Sequence, residues 1–176
     1  MPDTPNAASL LRLVPATAAD EATLSNLFQL YFHDFSDWSG EEVDDDGLFD
    51  AWDEDTFSEG NAAYLLRVGD HLAGFLVVET ADTPTGPMTE FADLFILRKY
   101  RRLGLAMEVV RRVMVGSGRP WLVAVFRADA QALAFWRKAF GRLPFASVRE
   151  FDDDLKPQFH FFAVDEAPTG GTVRGD

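Results

Sequence analysis

The ten residues Leu97-Arg98-Lys99-Tyr100-Arg101-Arg102-Leu103-Gly104-Leu105-Ala106 carry four cations beside a glycine and an alanine, between an alternating apolar run and a run with helical spacing. A strand that turns into a helix there presents unpaired amides and the positive end of a dipole, and Gly104 and Ala106 let an anion approach the backbone. A diphosphate fits such a turn. On these residues alone, a tight turn with its arginines in solvent is the alternative. A second chemical group is Asp93, which the period of two places in one row with Phe91, Phe95 and Leu97. Apolar neighbours disfavour its charged form and so make a more basic carboxylate; satisfaction by backbone or arginine contacts is its other use. Glu90 faces the opposite way. The chain has no cysteine, which excludes disulfides, thiolate metal sites and a covalent intermediate on an enzyme thiol. His33, His71 and His160 show no ligand spacing with carboxylates, so a metal site is not expected.

Charge is unevenly spread along the 176 residues. The net charge is −13, yet residues 98 to 149 hold twelve Lys or Arg against two acids, Glu108 and Asp129, so that segment carries +10 and the remainder −23. Such a balance disfavours nucleic acid as a partner, because phosphate binding needs a broad positive face, and is compatible with one local anion site. Residues 37 to 59 hold eleven acids and no Lys or Arg. A solvated acidic loop is the plainest use of that run.

The elements that must position these groups follow from periodicity. Leu10 to Val14 reads as a short strand, and Thr17, Asp20 and Glu21 start a helix striped by Leu24, Leu27, Phe28, Tyr31, Phe32 and Phe35. The acidic stretch Ser36 to Gly60 contains Trp38, Val43, Leu48, Phe49, Trp52 and Phe57, which predicts a short helix folded over the core. Ala63 to Val68 and Leu72 to Glu79 form a hairpin turning at Gly69-Asp70. After the turn-rich residues 81 to 87, Met88 to Leu97 is a third strand. Leu103 to Val115 is a helix with Ala106, Val110, Val113 and Met114 inward; Trp121 to Phe126 is a strand; Gln131 to Phe140 is a helix ended by Gly141. Strands Phe145 to Phe151 and Phe159 to Asp165 complete a mixed sheet with helices on both sides. One domain is expected over 10–166, with flexible ends at 1–9 and 167–176. No apolar run approaches the roughly 18 residues of a membrane span, and Met1 to Ser9 lacks the basic and apolar parts of a leader, so no membrane and a cytoplasmic location are expected.

Arg101-x-x-Gly104-x-Ala106 resembles the Gln/Arg-x-x-Gly-x-Gly/Ala signature of the GNAT superfamily of N-acetyltransferases, and Asp129-x-x-Ala132-x-x-Phe135-Trp136 before Phe140-Gly141 resembles its second signature, Asn-x-x-Ala-x-x-Phe-Tyr. The resemblance covers about Leu10 to Asp165. Tyr31-x-His33-Asp34-Phe35, with an acid five residues before Arg98-Lys99-Tyr100-Arg101, is similar to a little-characterised bacterial group of predicted acetyltransferases. The resemblance implies a single α/β (α+β) domain with a mixed, mostly antiparallel, splayed sheet. It implies acetyl-CoA as co-substrate, with backbone groups near Phe95, Ile96 and Leu97 on its pantetheine arm. The amides of Arg101, Arg102, Leu103, Gly104, Leu105 and Ala106 would hold its diphosphate, and Asp129 and Phe135 also fall at cofactor positions. A backbone N–H would meet the developing oxyanion. Asp93 is then the first candidate for the base that deprotonates an amine and Glu90 the second. Trp136 replaces the tyrosine that often protonates the departing thiolate, leaving Tyr31 or Tyr100 as substitutes or no dedicated acid.

The leading expectation is an acetyl-CoA-dependent N-acetyltransferase acting on a small-molecule or peptide amine by direct attack in a ternary complex. The acidic stretch Asp37 to Glu59 falls where the resemblance places acceptor-lining elements, which makes a cationic acceptor the expected one. A non-catalytic acyl-CoA-binding or sensing module is the alternative, motivated by Trp136 and Asp129; a basic segment serving a protein or nucleic-acid partner ranks last. A homodimer is common in the family, and Phe159, Phe161 and Phe162 serve either such an interface or the core.

Overall fold

Alternation, helical spacing and turn residues give, in the computed structural model, the expected order of elements over residues 6–50, 54–83 and 85–166, which are the described ones. Among them the strands are β1 (Leu11–Pro15), β2 (Ala62–Val68), β3 (His71–Thr83), β4 (Gly86–Ile96), β5 (Trp121–Phe126), β6 (Phe145–Phe151) and β7 (Phe159–Glu166), and the α-helices are α1 (Glu21–Ser39), α2 (Leu105–Met114) and α3 (Ala130–Arg142). The strands form one sheet in the order β1-β2-β3-β4-β5-β7-β6. Pairs β1/β2, β2/β3, β5/β7 and β6/β7 are antiparallel and β4/β5 is parallel, so the sheet is mixed and mostly antiparallel. The chain divides into two compact units, one ending at residue 80 and resuming over 91–106, the other made of 81–90 and the residues from 107.

In the first unit the apolar stripe of α1 covers β2 and β3. Leu24, Leu27, Phe28, Ala63, Leu65, Phe75, Val77 and Phe95 form one buried cluster. The β2–β3 hairpin turns at Gly69-Asp70 with Val68 opposite His71. Farther along, Leu66 faces Gly74 but Arg67 faces Leu72, so Ala73 is the extra residue of a bulge. The Ala73 carbonyl accepts from Leu97 N–H at 2.8 Å. A Cβ on the next residue, Gly74, would lie 1.9 Å from the Phe95 carbonyl oxygen, so only glycine allows β3 and β4 to approach this closely.

In the second unit the β5/β7 ladder buries Trp121, Val123 and Val164, and α3 packs Phe140 against Phe162 at 5.1 Å. Phe161 and Phe162 are buried in this unit, and the Phe159 ring lies tilted on Phe126 at 4.3 Å. The β4/β5 ladder pairs Thr89 with Trp121 and Glu90 with Leu122.

Four sequence expectations change. The short helix expected in the acidic stretch is a single 3-10 turn, Glu54–Phe57, because α1 runs on to Ser39 and stops at left-handed Gly40, after which the acids Asp44, Asp45 and Asp46 occupy a turn. Phe49 and Phe57 do pack on the core, but Trp38, Val43 and Leu48 are exposed; Trp52 lies outside the described residues. Residues 81 to 83 and 86 to 87 are strand rather than loop, since β3 continues to Thr83 and β4 starts at Gly86. Helix α2 starts at Leu105 rather than Leu103, because Arg102 (φ 62°) and Gly104 (φ 82°) are left-handed and cannot join a right-handed helix. Its buried residues are therefore Leu105, Val109, Val110 and Met114, not Ala106 and Val113. Helix α3 runs through Gly141 to Arg142 and stops at extended Leu143, which precedes Pro144 and is barred from helical geometry by it. Asn6 to Leu10 form a hydrogen-bonded turn ahead of β1, while 1–5 and 167–176 lie outside the described residues.

Candidate functional site

The turn from β4 into α2 lies wholly in the first unit. After Ile96 the chain makes a 3-10 turn, Arg98–Tyr100, closed by Tyr100 N–H to the Leu97 carbonyl at 2.8 Å, and Tyr100 is buried beneath it. Arg101 is extended, Arg102 and Gly104 are left-handed, and α2 begins. The first-turn amides of a helix have no partner inside it; in α2 they belong to Leu105 to Glu108 and follow directly on the exposed residues Arg102, Leu103 and Gly104. A Cβ at Gly104 would meet no atom within 4 Å, so the backbone faces open space. Open backbone, helix-start amides and the exposed cations Arg98, Lys99 and Arg102 fit a diphosphate.

The side chain of Arg101 turns back onto the protein. Its Nε donates to the Ile96 carbonyl at 2.6 Å, its Nη2 pairs with Oδ2 of Asp34, and its guanidinium lies 5.6 Å from the Phe95 ring centroid. Arg98 Nη2 donates to the other oxygen of Asp34 at 2.7 Å. Burial raises the Asp34 pKa, but the hydrogen bonds and charges of Arg101 and Arg98 outweigh it and hold the carboxyl below its ordinary value. Sequence reading named Asp34 only within the Tyr31-x-His33-Asp34-Phe35 resemblance and gave it no role, because its partners stand 64 and 67 residues away.

Backbone direction decides which of Phe95, Ile96 and Leu97 is available. Leu97 N–H points to β3, and by alternation Phe95 does too; Ile96, and with it Leu94, turn their backbone groups to the opposite edge. Of the three expected residues only Ile96 is so placed, and its carbonyl already accepts from Arg101. Leu94, not singled out from sequence, shares that edge.

Asp93 sits where expected, on β4 among Phe91 and Phe95, partly buried. Its Oδ1 accepts a 2.7 Å hydrogen bond from the Tyr31 hydroxyl. Desolvation raises the Asp93 pKa and the Tyr31 bond works against it, with the net direction upward. The Tyr31 ring is held edge-on by Phe35 at 4.5 Å and Phe75 at 5.6 Å, so α1 delivers its hydroxyl in a fixed direction. His33, two residues on, is exposed.

Glu90 and Asp93 fall in different units. Glu90 belongs to the second unit, in a hollow of about 30 Å³ with Asp82, Asp153, Lys156 and the stacked rings of Phe151 and Phe161. Also in the second unit, Asp129 caps α3, its Oδ1 accepting from Ala132 N–H at 2.8 Å, and Phe135 lies edge-on to Trp136. An aspartate and an asparagine cap equally well, which explains the acid at that position. Trp136 is buried and stacked on Phe140.

A family model described as the acetyltransferase (GNAT) family matches residues 24–141. No curated protein matches the chain. Among solved structures, an acetyltransferase from Thermus thermophilus is similar with a TM-score of 0.64 and 19% identity, covering 87% of this chain and 95% of that one. Spermidine N-acetyltransferase from Vibrio cholerae, solved with CoA and spermine, is similar with a TM-score of 0.58 and 14% identity, covering 89% and 95% of the two chains. Naa50 from Arabidopsis thaliana, in complex with the bisubstrate analogue CoA-Ac-MVNAL, gives 0.55 and 14%, covering 90% and 99%.

Proposed function

Because the chain belongs to the acetyltransferase (GNAT) family, we propose that it transfers an acetyl group from acetyl-CoA to a primary amine, with both substrates bound at once, and that the amine is cationic. One observation carries the reading: the open, cation-flanked turn from Arg101 to Ala106 between β4 and α2, placed at the end of the strand that bears Asp93. The backbone of Arg102 to Ala106 and the exposed cations Arg98, Lys99 and Arg102 would hold the diphosphate. Acetyl-CoA supplies an acyl group activated as a thioester with a stable leaving thiolate.

The remaining chemistry falls to this chain's own groups. An ammonium acceptor must shed a proton before its nitrogen has a lone pair to offer, and Asp93, its pKa raised, is the group suited to accept it. The Tyr31 hydroxyl orients the Asp93 carboxylate. The acids Asp37, Glu41, Glu42, Asp44, Asp45, Asp46 and Asp50 are exposed and lack a cationic counter-run, which supports a positively charged acceptor, as does the spermine bound by the Vibrio cholerae relative.

Calorimetric titration with CoA tests the reading, comparing the wild type with Gly104→Glu, which sets a carboxylate in the open turn. Binding by the wild type and its loss in the variant are expected; a wild type that does not bind CoA overturns the proposal. Amine-dependent CoA release should then favour cationic over neutral amines and fall with Asp93→Asn. CoA binding without turnover of any amine would instead favour an acyl-CoA-binding module, the reading that buried Trp136, without a hydroxyl to donate, supports.

A further inference from the structure

Two of the four cations in the turn are engaged by one carboxylate. Asp34 stands three residues beyond Tyr31 on α1, its side chain only 18% exposed, with one oxygen on Arg98 and the other on Arg101. The arginines differ. Arg98 is 76% exposed and holds Asp34 by a single nitrogen, so most of its donors face solvent. Arg101 is 40% exposed and fixed on three sides, by Asp34, the Ile96 carbonyl and the Phe95 ring. An Arg101 side chain so held is not a free arm toward a ligand; it ties the start of the left-handed turn to the last residue of β4.

We infer that Asp34 is a positioning residue for the co-substrate: by clamping Arg101 to the end of β4 and steering Arg98, it sets the backbone of Arg101 to Gly104 in the conformation that receives the diphosphate. This rests on the acetyl-CoA reading above. The physical case is one of preorganisation. Arg102 is a non-glycine residue at φ 62°, a conformation that costs energy and persists only where its surroundings hold it. The clamp stands one residue before it. If the arginines instead swung out to the ligand, they would leave a largely covered carboxylate without its partners, which is unfavourable. The three groups keep a net charge of +1 at the turn, enough to favour an anion while Asp34 restrains the side chains that bear it.

The test is a double-mutant cycle in CoA affinity, measured calorimetrically on the wild type, Asp34→Asn, Arg101→Gln and the double variant, with steady-state kinetics alongside. Asp34→Asn should weaken CoA binding about tenfold, the usual size for losing a charge-assisted contact. It should raise the KM for acetyl-CoA similarly, with kcat and the amine KM changed less than about twofold. In the Arg101→Gln background the same substitution should do little, because the residue it acts through is gone. Unchanged or tighter CoA binding in Asp34→Asn overturns the inference, tighter binding meaning that the carboxylate competes with the diphosphate. So do fully additive losses, or loss of the cooperative thermal transition in Asp34→Asn, which would assign the pair to the fold. A wild type that binds no CoA defeats the parent reading and is distinguishable from all of these.

Discussion

The hydroxyl of Tyr31 on α1 donates to Oδ1 of Asp93 on β4 across 2.7 Å, joining residues 62 apart in sequence. Asp93 lies in an apolar stretch that disfavours its charge, while the phenol supplies one hydrogen bond that favours it. The balance leaves a carboxylate more basic than usual yet held in one orientation. Tyr31 is itself fixed by Phe35 and by Phe75 of the core cluster, so the proposed catalytic geometry and core packing share the same helix face.

The acid limb of kcat/KM should therefore lie above 3.8, the ordinary value for this carboxyl. Tyr31→Phe removes the bond that favours ionisation, so the limb should move to still higher pH. Asp93→Asn should lower kcat by about a hundredfold or more. A pH–rate profile of the three proteins checks this, and a limb that Tyr31→Phe leaves in place or moves to lower pH would contradict it.

Asp93 also couples pH to stability. Its pKa is raised on folding, so as pH climbs past 3.8 the unfolded chain loses the proton first and the native state loses stability. The stability of Asp93→Asn relative to the wild type should thus increase with pH through the window above 3.8. Urea unfolding across about pH 4 to 8 would reveal a flat difference if the carboxylate were not desolvated.

Gly74→Ala should be strongly destabilising, by roughly 2 to 4 kcal/mol, since the new Cβ meets backbone rather than a mobile side chain. The atom it meets is the Phe95 carbonyl oxygen at 1.9 Å, so the end of β4 must shift. Thermal unfolding measures the cost, and CoA titration of any folded variant should reveal weakened binding, because the turn proposed to hold the diphosphate starts from that strand end.

Glu108 holds Arg111 through two bonds, at 2.6 and 2.8 Å, and Arg112 at 2.6 Å, on the outer face of α2. The hydrogen bond from Arg111 is the main cause that lowers its pKa from 4.5 to about 2. A depressed acid contributes stability above its unfolded value and loses it as pH falls, here from 4.5 toward about 2. With Arg111 half exposed, solvent screens the pairs, and Glu108→Gln should cost only about 0.5 to 1 kcal/mol at neutral pH. Added salt should shrink that difference in a melting experiment.

Asp129→Ala should cost about 1 kcal/mol by uncapping α3, while Asp129→Asn should be close to neutral. Thermal unfolding distinguishes the two. Equal losses in both would mean that the charge, rather than the cap to Ala132, is what matters.

Local pattern was enough to place most elements. The stripe from Leu24 to Phe35, the Gly69-Asp70 turn and the bounds of β5 and β6 depend on neighbours within a few residues, and periodicity reports them directly. It also marked the turn around Gly104 and the apolar row holding Asp93. What required the tertiary structure was every relation between distant residues: Tyr31 on Asp93, Asp34 on Arg98 and Arg101, and the Gly74 contact with Phe95. The start of α2 belongs with these, because Arg102 carries no sign in its side chain that its backbone is left-handed. Spacing along a chain encodes which face a residue takes within its own element; which charge or hydroxyl meets that face is decided only when helix and sheet pack, and at this site that packing selects the partners of Asp93 and Arg101.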